Sequence, residues 1–314
     1  MDASRAAKLL GRERGASDRC VAHDFFAEVA ALQRLAARRK AVGGDNAATA
    51  ILDFGVSRGT YVVVLERCLG TVAAWRALRG PLGAGDVALY VSIAARIARC
   101  VAEVAAAGVA HLDVKAENVL LRRDPEEDWA DAGAVCLCDF GEARLFDDGG
   151  GAGPGAPLAA RTLLRAHGTE AVQPPEVLRG ASSAVGPPAD VWALGCLAYE
   201  ILAGRRLFES MLASDWSRFF VTLTSANLAL PPDEALSVFA PPVDARADGD
   251  IAALVRLGLG RDALDRPSAN NLAAHFEAYS GKRRKEEDDA AAAAQRGRPR
   301  QGEAKTLPLH QGSQ

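Results

Sequence analysis

The sequence predicts an α+β protein of two lobes, a small β-rich lobe first and a larger, mainly helical lobe after it. Three observations predict this. At 314 residues the chain is long enough to bury two sizeable cores. Two β-like runs, 50–54 and 61–65, lie early and are separated by the turn residues Ser57-Arg58-Gly59. Over 190–202 the pattern is apolar nearly all round a helix, which places that helix at the centre of a large lobe.

The remaining elements follow in chain order. Phe25, Phe26, Val29, Leu32 and Leu35 recur at helical spacing, predicting an amphipathic helix entered from Asp18 or Asp24. A break at Gly70 leads to a second helix over about 87–107, rich in Ala, Ile and Val and therefore buried. Asn118 opens the apolar run Val119-Leu120-Leu121, and a matching run over 134–138 ends at Asp139, so two short strands joined by a polar insertion put functional groups at strand ends. Gly149-Gly150-Gly151-Ala152-Gly153-Pro154-Gly155 reads as a mobile connector. Residues 251–259 and 269–279 read as further helices. After Gly281 the chain turns to Lys282-Arg283-Arg284-Lys285, an acidic patch, an alanine run and a polar end, which predicts a disordered tail over 282–314.

Composition excludes little but bounds the setting. Hydrophobic residues at 49% and charged residues at 25% are ordinary for a globular protein, so no disordered or fibrous class is indicated. A net charge of -3 gives no whole-chain field that favours nucleic acid or membrane. The six cysteines are scattered without a C-x-x-C pair, which suits reduced thiols better than a disulfide framework or a zinc site. No apolar run approaches the roughly 20 residues needed to span a bilayer, and the first residues lack the apolar core of a secretory signal. The expectation is a soluble, intracellular protein, cytoplasmic or nuclear.

The chemistry concentrates in His111-Leu112-Asp113-Val114-Lys115-Ala116-Glu117-Asn118, followed by Asp139-Phe140-Gly141 and then Pro174-Pro175-Glu176. Phosphoryl transfer from a metal-bound nucleotide needs charge clamps, metal holders and an acceptor for the hydroxyl proton. An acid, a lysine and an asparagine at this spacing, then a second acid before a glycine, supply a candidate for each.

With these motifs in this order, residues 6 to 280 resemble the eukaryotic protein-kinase family, and the loop carrying Lys115 resembles its serine/threonine branch. The resemblance implies a two-lobed kinase-like fold over 1–281, with a small lobe to about 65, a hinge at about 66–70 and a large lobe beyond. It implies ATP and Mg2+ as cofactors and protein substrates as partners. Asp113 would accept or orient the substrate hydroxyl proton, Lys115 would steady the transferred phosphate, and Asn118 and Asp139 would hold magnesium. Ala6-Ala7-Lys8-Leu9-Leu10 resembles the strand whose lysine positions the nucleotide, with Glu28 as its partner. Leu65-Glu66-Arg67-Cys68 would form the hinge, where the backbone of Glu66 and Cys68 would bond adenine and Leu65 would guard the rear pocket. Leu32, His111 and Phe140 resemble members of the apolar stack that registers the active state.

Further matches are Gly168-Thr169 before Pro174-Pro175-Glu176, Glu176 paired with Arg266, and Asp190-Val191-Trp192-Ala193-Leu194-Gly195 as the central helix. Asp53-Phe54-Gly55 is a second copy of the acid-Phe-Gly string, ahead of the catalytic loop, and is expected to be a chance match.

Three departures qualify the resemblance. With Lys8 on the third strand of the family's small lobe, the first two strands and their glycine-rich loop have no sequence; either the start is truncated or nucleotide sits in a half-open cleft. Leu112 stands where the family has an arginine that receives a loop phosphate, so control through Thr162 or Thr169 is not expected. Glu117 occupies a position where some related kinases attract a basic substrate residue, which discriminates little. The alternative to an active kinase is a pseudokinase or scaffold with impaired nucleotide binding. Arg296, Arg298 and Arg300 form a string like those of short minor-groove binders, offering a weak contact with A·T-rich DNA.

Overall fold

The structure, a computed structural model, describes residues 4–10, 18–43, 47–83, 86–126, 132–146, 169–180, 185–225 and 245–296. It opens with β1 (Arg5–Leu10), followed by α1 (Asp18–Val42), β2 (Ile51–Ser57) and β3 (Thr60–Glu66). These strands form an antiparallel sheet in the order β1-β3-β2. The turn at Arg58 and Gly59 has φ of 51° and 77° at its two residues. Two successive positive φ values match the twist of a tight hairpin, and the glycine makes the second inexpensive. The helix α1 packs on one face of this sheet, where Phe25 and Tyr61 meet with ring centroids 4.8 Å apart.

The large lobe begins with β4 (Gly70–Thr71) and α2 (Val72–Ala77), then α3 (Val87–Ala106), β5 (Val109–Ala110), β6 (Val119–Leu121), β7 (Val135–Leu137) and β8 (Arg144–Leu145). A second sheet runs β4-β6-β7, and β5 pairs with β8. Then come α4 (Pro175–Leu178), α5 (Pro187–Ala203), α6 (Glu209–Ser214), α7 (Trp216–Thr224), α8 (Ala245–Gly258) and α9 (Ala269–Arg296).

As its all-round apolarity predicts, α5 lies in the core: Trp192, Leu197, Tyr199 and Ile201 are all at most 1% exposed. Two contacts explain how it is held. A Cβ added to Gly258 would lie 2.9 Å from the Val191 carbonyl and 3.0 Å from the Gly195 Cα, so this pair of glycines lets α5 and α8 cross backbone to backbone. At the other end Arg76 donates to the Ile201 carbonyl at 2.6 Å and to Leu202, placing a buried cation on the carbonyls that end the helix.

One expectation is corrected here. Residues 282–296, expected to begin a disordered tail, continue α9 as helix. Alanine, glutamate, lysine and arginine are good helix formers, and a low-hydrophobicity argument overlooks that. The helix is also anchored to the start of α3, where the Ser280 hydroxyl donates to the Ala88 carbonyl at 2.8 Å. Arg283 and Glu286 pair along the helix at 3.2 Å. Residues 297–314, including Arg298 and Arg300, lie outside the described residues, as do the connector at 149–155, Thr162 and Gly168. Among the described residues no helix is long and apolar enough to cross a membrane.

Candidate active site

The loop between β5 and β6 is fixed from below. Asp190, in the first turn of α5, accepts the His111 N–H at 2.8 Å and the Leu112 N–H at 2.7 Å. Those bonds hold Leu112 at a φ of 65°, a left-handed backbone that a branched residue adopts only when its surroundings impose it. Asp190 is 1% exposed, and burial pushes its carboxyl above the usual range, opposed by His111 and by the two N–H donors. The His111 ring nitrogen Nε2 lies 2.9 Å from the Cys138 carbonyl, and the ring packs 4.6 Å from that of Phe140. Phe140, His111 and Leu32 are all buried at 2% exposure or less.

On this base the loop brings its polar groups to one carboxylate. Asp113 Oδ2 accepts from Lys115 Nζ at 2.7 Å and from Asn118 Nδ2 at 2.9 Å, while Oδ1 accepts the Thr169 N–H at 2.9 Å. Lys115 Nζ also donates to the Thr169 hydroxyl at 2.7 Å. Asn118 Nδ2 donates in addition to the Asp113 carbonyl at 2.9 Å. The asparagine is thus oriented with its amide nitrogen committed and its amide oxygen as the remaining acceptor.

A second cluster crosses the cleft. Lys8 Nζ donates to Glu28 at 2.9 and 3.1 Å and to Asp139 Oδ1 at 2.8 Å. Burial works against the Lys8 charge, but Glu28 and Asp139 outweigh it and raise its pKa. Glu28 is 0% exposed, and burial raises its carboxyl pKa despite the opposing pull of Lys8. For Asp139 burial also acts upward, yet Lys8 and the Gly141 N–H prevail and hold the carboxyl below the usual range. Its φ of 61° is again left-handed. The helix bearing Glu28 is tied to the large lobe by Arg34, which donates to the Ala107 carbonyl at 2.5 Å and to that of Phe146 at 3.0 Å. Gly108, with φ of 68°, leaves room for it: a Cβ there would meet Arg34 at 2.5 Å and the Phe146 carbonyl at 2.7 Å.

The other predicted positions fall around these clusters. Leu65 is buried, at 8% exposure. The Glu66 side chain does not enter the cleft; it binds Arg122 at 2.6 Å and accepts the Ala50 N–H at 2.8 Å, which leaves only the backbone for the hinge role. Cys68 places its sulfur beside Cys136. Glu176 and Arg266 form a bidentate pair at 2.6 and 2.7 Å, buried between α4 and the start of α5, with Arg266 also donating to the Pro188 carbonyl at 2.8 Å. Leu112 lies in an apolar cleft with Val172, Pro174 and Val177. Glu117 pairs with Arg206, which also lies 3.7 Å from Glu200. Asp53 is exposed on β2 and its carboxylate accepts the neighbouring Phe54 N–H. Sequence reasoning missed the roles of Thr169, Arg34, Arg76 and Arg122.

Residues 6–276 match the protein kinase domain family, and the chain belongs to that family. A probable serine/threonine-protein kinase of Dictyostelium discoideum is 27% identical over 256 residues, covering 74% of this chain and 10% of its own length. Serine/threonine-protein kinase PkaB of Streptomyces coelicolor is 32% identical over 237 residues, covering 74% of this chain and 51% of its own. A serine/threonine-protein kinase of Myxococcus xanthus is 29% identical over 254 residues, covering 80% and 28%. The chain therefore spans at most about half the length of these curated relatives.

Proposed function

We propose that this chain is a serine/threonine protein kinase that transfers the γ-phosphoryl group of ATP to a protein hydroxyl. The observation that carries this reading is Lys8, which bridges Glu28 and Asp139 at hydrogen-bond distance while Asp113, Lys115 and Asn118 converge beside Thr169. The donor set fits a hard divalent cation: a carboxylate at Asp139 and an amide oxygen at Asn118 suit magnesium, which prefers oxygen ligands. When bound, magnesium and ATP supply the phosphoryl group and neutralise charge on its oxygens.

The residues have separable tasks. Lys8, held by Glu28, presents its ammonium to the nucleotide phosphates. Asp113 orients the substrate hydroxyl and receives its proton as the oxygen–phosphorus bond forms and ADP leaves. Lys115, already at the edge of Asp113, offsets charge on the transferred group. The backbone at Glu66 and Cys68 would take the adenine edge, and protein chains bearing Ser or Thr are the substrates. The scattered cysteines, without a C-x-x-C pair, support an intracellular setting.

The test is a thermal-shift titration with ATP and Mg2+ beside a phosphotransfer assay on a generic protein substrate. Stabilisation that grows with ATP, as mass action requires, together with label transfer is the expected result. No shift and no transfer would point instead to a scaffold without nucleotide binding.

A further inference from the structure

Among the described residues one group of potential ligating side chains lies outside the clusters above: a Glu66 oxygen, Cys68 Sγ and Cys136 Sγ are all within 4.8 Å of one another. The Glu66 carboxylate is already engaged by Arg122 and by the Ala50 N–H, which leaves the two sulfurs, hydrogen-bonded to each other, as the reactive pair. The two sulfurs differ in access. Cys68 is partly exposed at the hinge, whereas Cys136 on β7 is 0% exposed. The Arg122 guanidinium acts on both thiols, favouring the thiolate in each.

Their ionisation is asymmetric in the same sense. A hydrogen bond from Cys136, with help from Arg122, holds the Cys68 thiol below its usual range against burial and Glu66. The same bond and burial push the Cys136 thiol up. A partly exposed thiol, held toward its thiolate by a hydrogen bond from a second, protected one, is the arrangement that oxidation selects. The other described thiols lack it: Cys100 and Cys196 are buried, and Cys138 is not part of the group gathered with Cys68.

We propose that Cys68 and Cys136 are an oxidation site, in which hydrogen peroxide converts Cys68 to a sulfenic acid and Cys136 closes it to a disulfide between the hinge and β7. In the first step the Cys68 thiolate attacks one peroxide oxygen; an S–O bond forms, the O–O bond breaks, and hydroxide leaves and takes up a proton. In the second, Cys136 sulfur attacks the Cys68 sulfur; the S–S bond forms, the S–O bond breaks, and water leaves with the Cys136 proton. Two thiols lose two electrons and two protons, and the peroxide becomes two waters. A dithiol reverses the bond by exchange.

The experiment exposes the reduced chain of 314 residues to hydrogen peroxide, alkylates the remaining thiols and maps the peptides by mass. The expected product is a cross-linked peptide pair through Cys68 and Cys136, two hydrogens lighter than the reduced peptides together and lost on treatment with dithiothreitol. Cys138→Ser should retain the cross-link, and Cys136→Ser should lose it and leave Cys68 reactive to dimedone. Recovery of both cysteines alkylated, at a peroxide dose that oxidises glutathione in the same tube, would overturn the proposal. So would a wild-type map in which Cys68 joins Cys138, a result that does not depend on any variant folding. Oxidation should also weaken the thermal stabilisation by ATP and Mg2+; that clause rests on the proposed nucleotide site, whereas the peptide map stands without it.

Discussion

Lys8 and Asp139, 131 positions apart in the chain, meet at 2.8 Å across the cleft between the lobes. Because Lys8 also holds Glu28, one ammonium links β1, α1 and the end of β7. In the proposed function that linkage aligns the nucleotide, and it can be broken with a single substitution.

Lys8→Met should cost at least about 100-fold in transfer rate, the scale of losing one preorganised charged group at a reacting centre. It also leaves Glu28 buried without its cation, and that carboxyl, already raised by burial, should then bind its proton more tightly still. Steady-state turnover with ATP titration measures the first effect. Turnover within a few-fold of wild type would remove Lys8 from the machinery.

Arg266→Leu should destabilise the large lobe by about 3–5 kcal/mol, because it strands the Glu176 carboxylate in a buried site. Arg266 is 7% exposed and also serves the Pro188 and Gly260 carbonyls, so its loss leaves those two carbonyls unmet besides the Glu176 carboxylate. Urea unfolding of wild type and variant measures the difference. The double variant Glu176→Leu with Arg266→Leu should recover part of it.

Glu200 provides a pH signature. Burial above all, with Glu117 and Glu209 adding repulsion against the pull of Arg206, raises its carboxyl from 4.5 to about 7. The folded state therefore binds this proton more tightly than the unfolded chain does. Its contribution to stability is complete below pH 4.5 and is lost as pH rises to about 7. The loss should be on the order of 1–3 kcal/mol. Melting temperature followed across that window should fall with a component that Glu200→Gln abolishes; parallel profiles for the two proteins would contradict the assignment.

Leu112 predicts regulation by exclusion. Its side chain sits among Val172, Pro174 and Val177, and Lys115 already holds the Thr169 hydroxyl. Activity should survive phosphatase treatment of the purified chain, measured as initial rate before and after. Abolished turnover would show that a phosphate is received by some other cation.

The parts legible in the sequence were those with a strong period or a distinctive residue set. The all-round apolarity of α5, the alanine- and valine-rich α3 and the turn at Arg58-Gly59 each carried a local signal that packing then agreed with. Asp113, Lys115, Asn118 and Asp139 stand out by type and spacing, and the fold brings the first three to one carboxylate and the fourth to Lys8. The two-residue strands β4, β5 and β8 were not legible, because a pair of residues has no period. Arg34, Arg76 and Arg122 were missed for another reason: each serves backbone carbonyls remote in the chain, and nothing beside an arginine in sequence announces such a partner. The extension of α9 has no signal in burial, because what supports it is the helix propensity of its Ala, Glu, Lys and Arg residues.

The measurement closest to the central claim is phosphotransfer by Asp113→Asn. Asparagine keeps the size of the side chain and an acceptor for Thr169 but cannot take the hydroxyl proton. Label transfer from ATP to a protein substrate should fall by about 100-fold or more, while thermal stabilisation by ATP and Mg2+ persists. Transfer at the wild-type rate would contradict it.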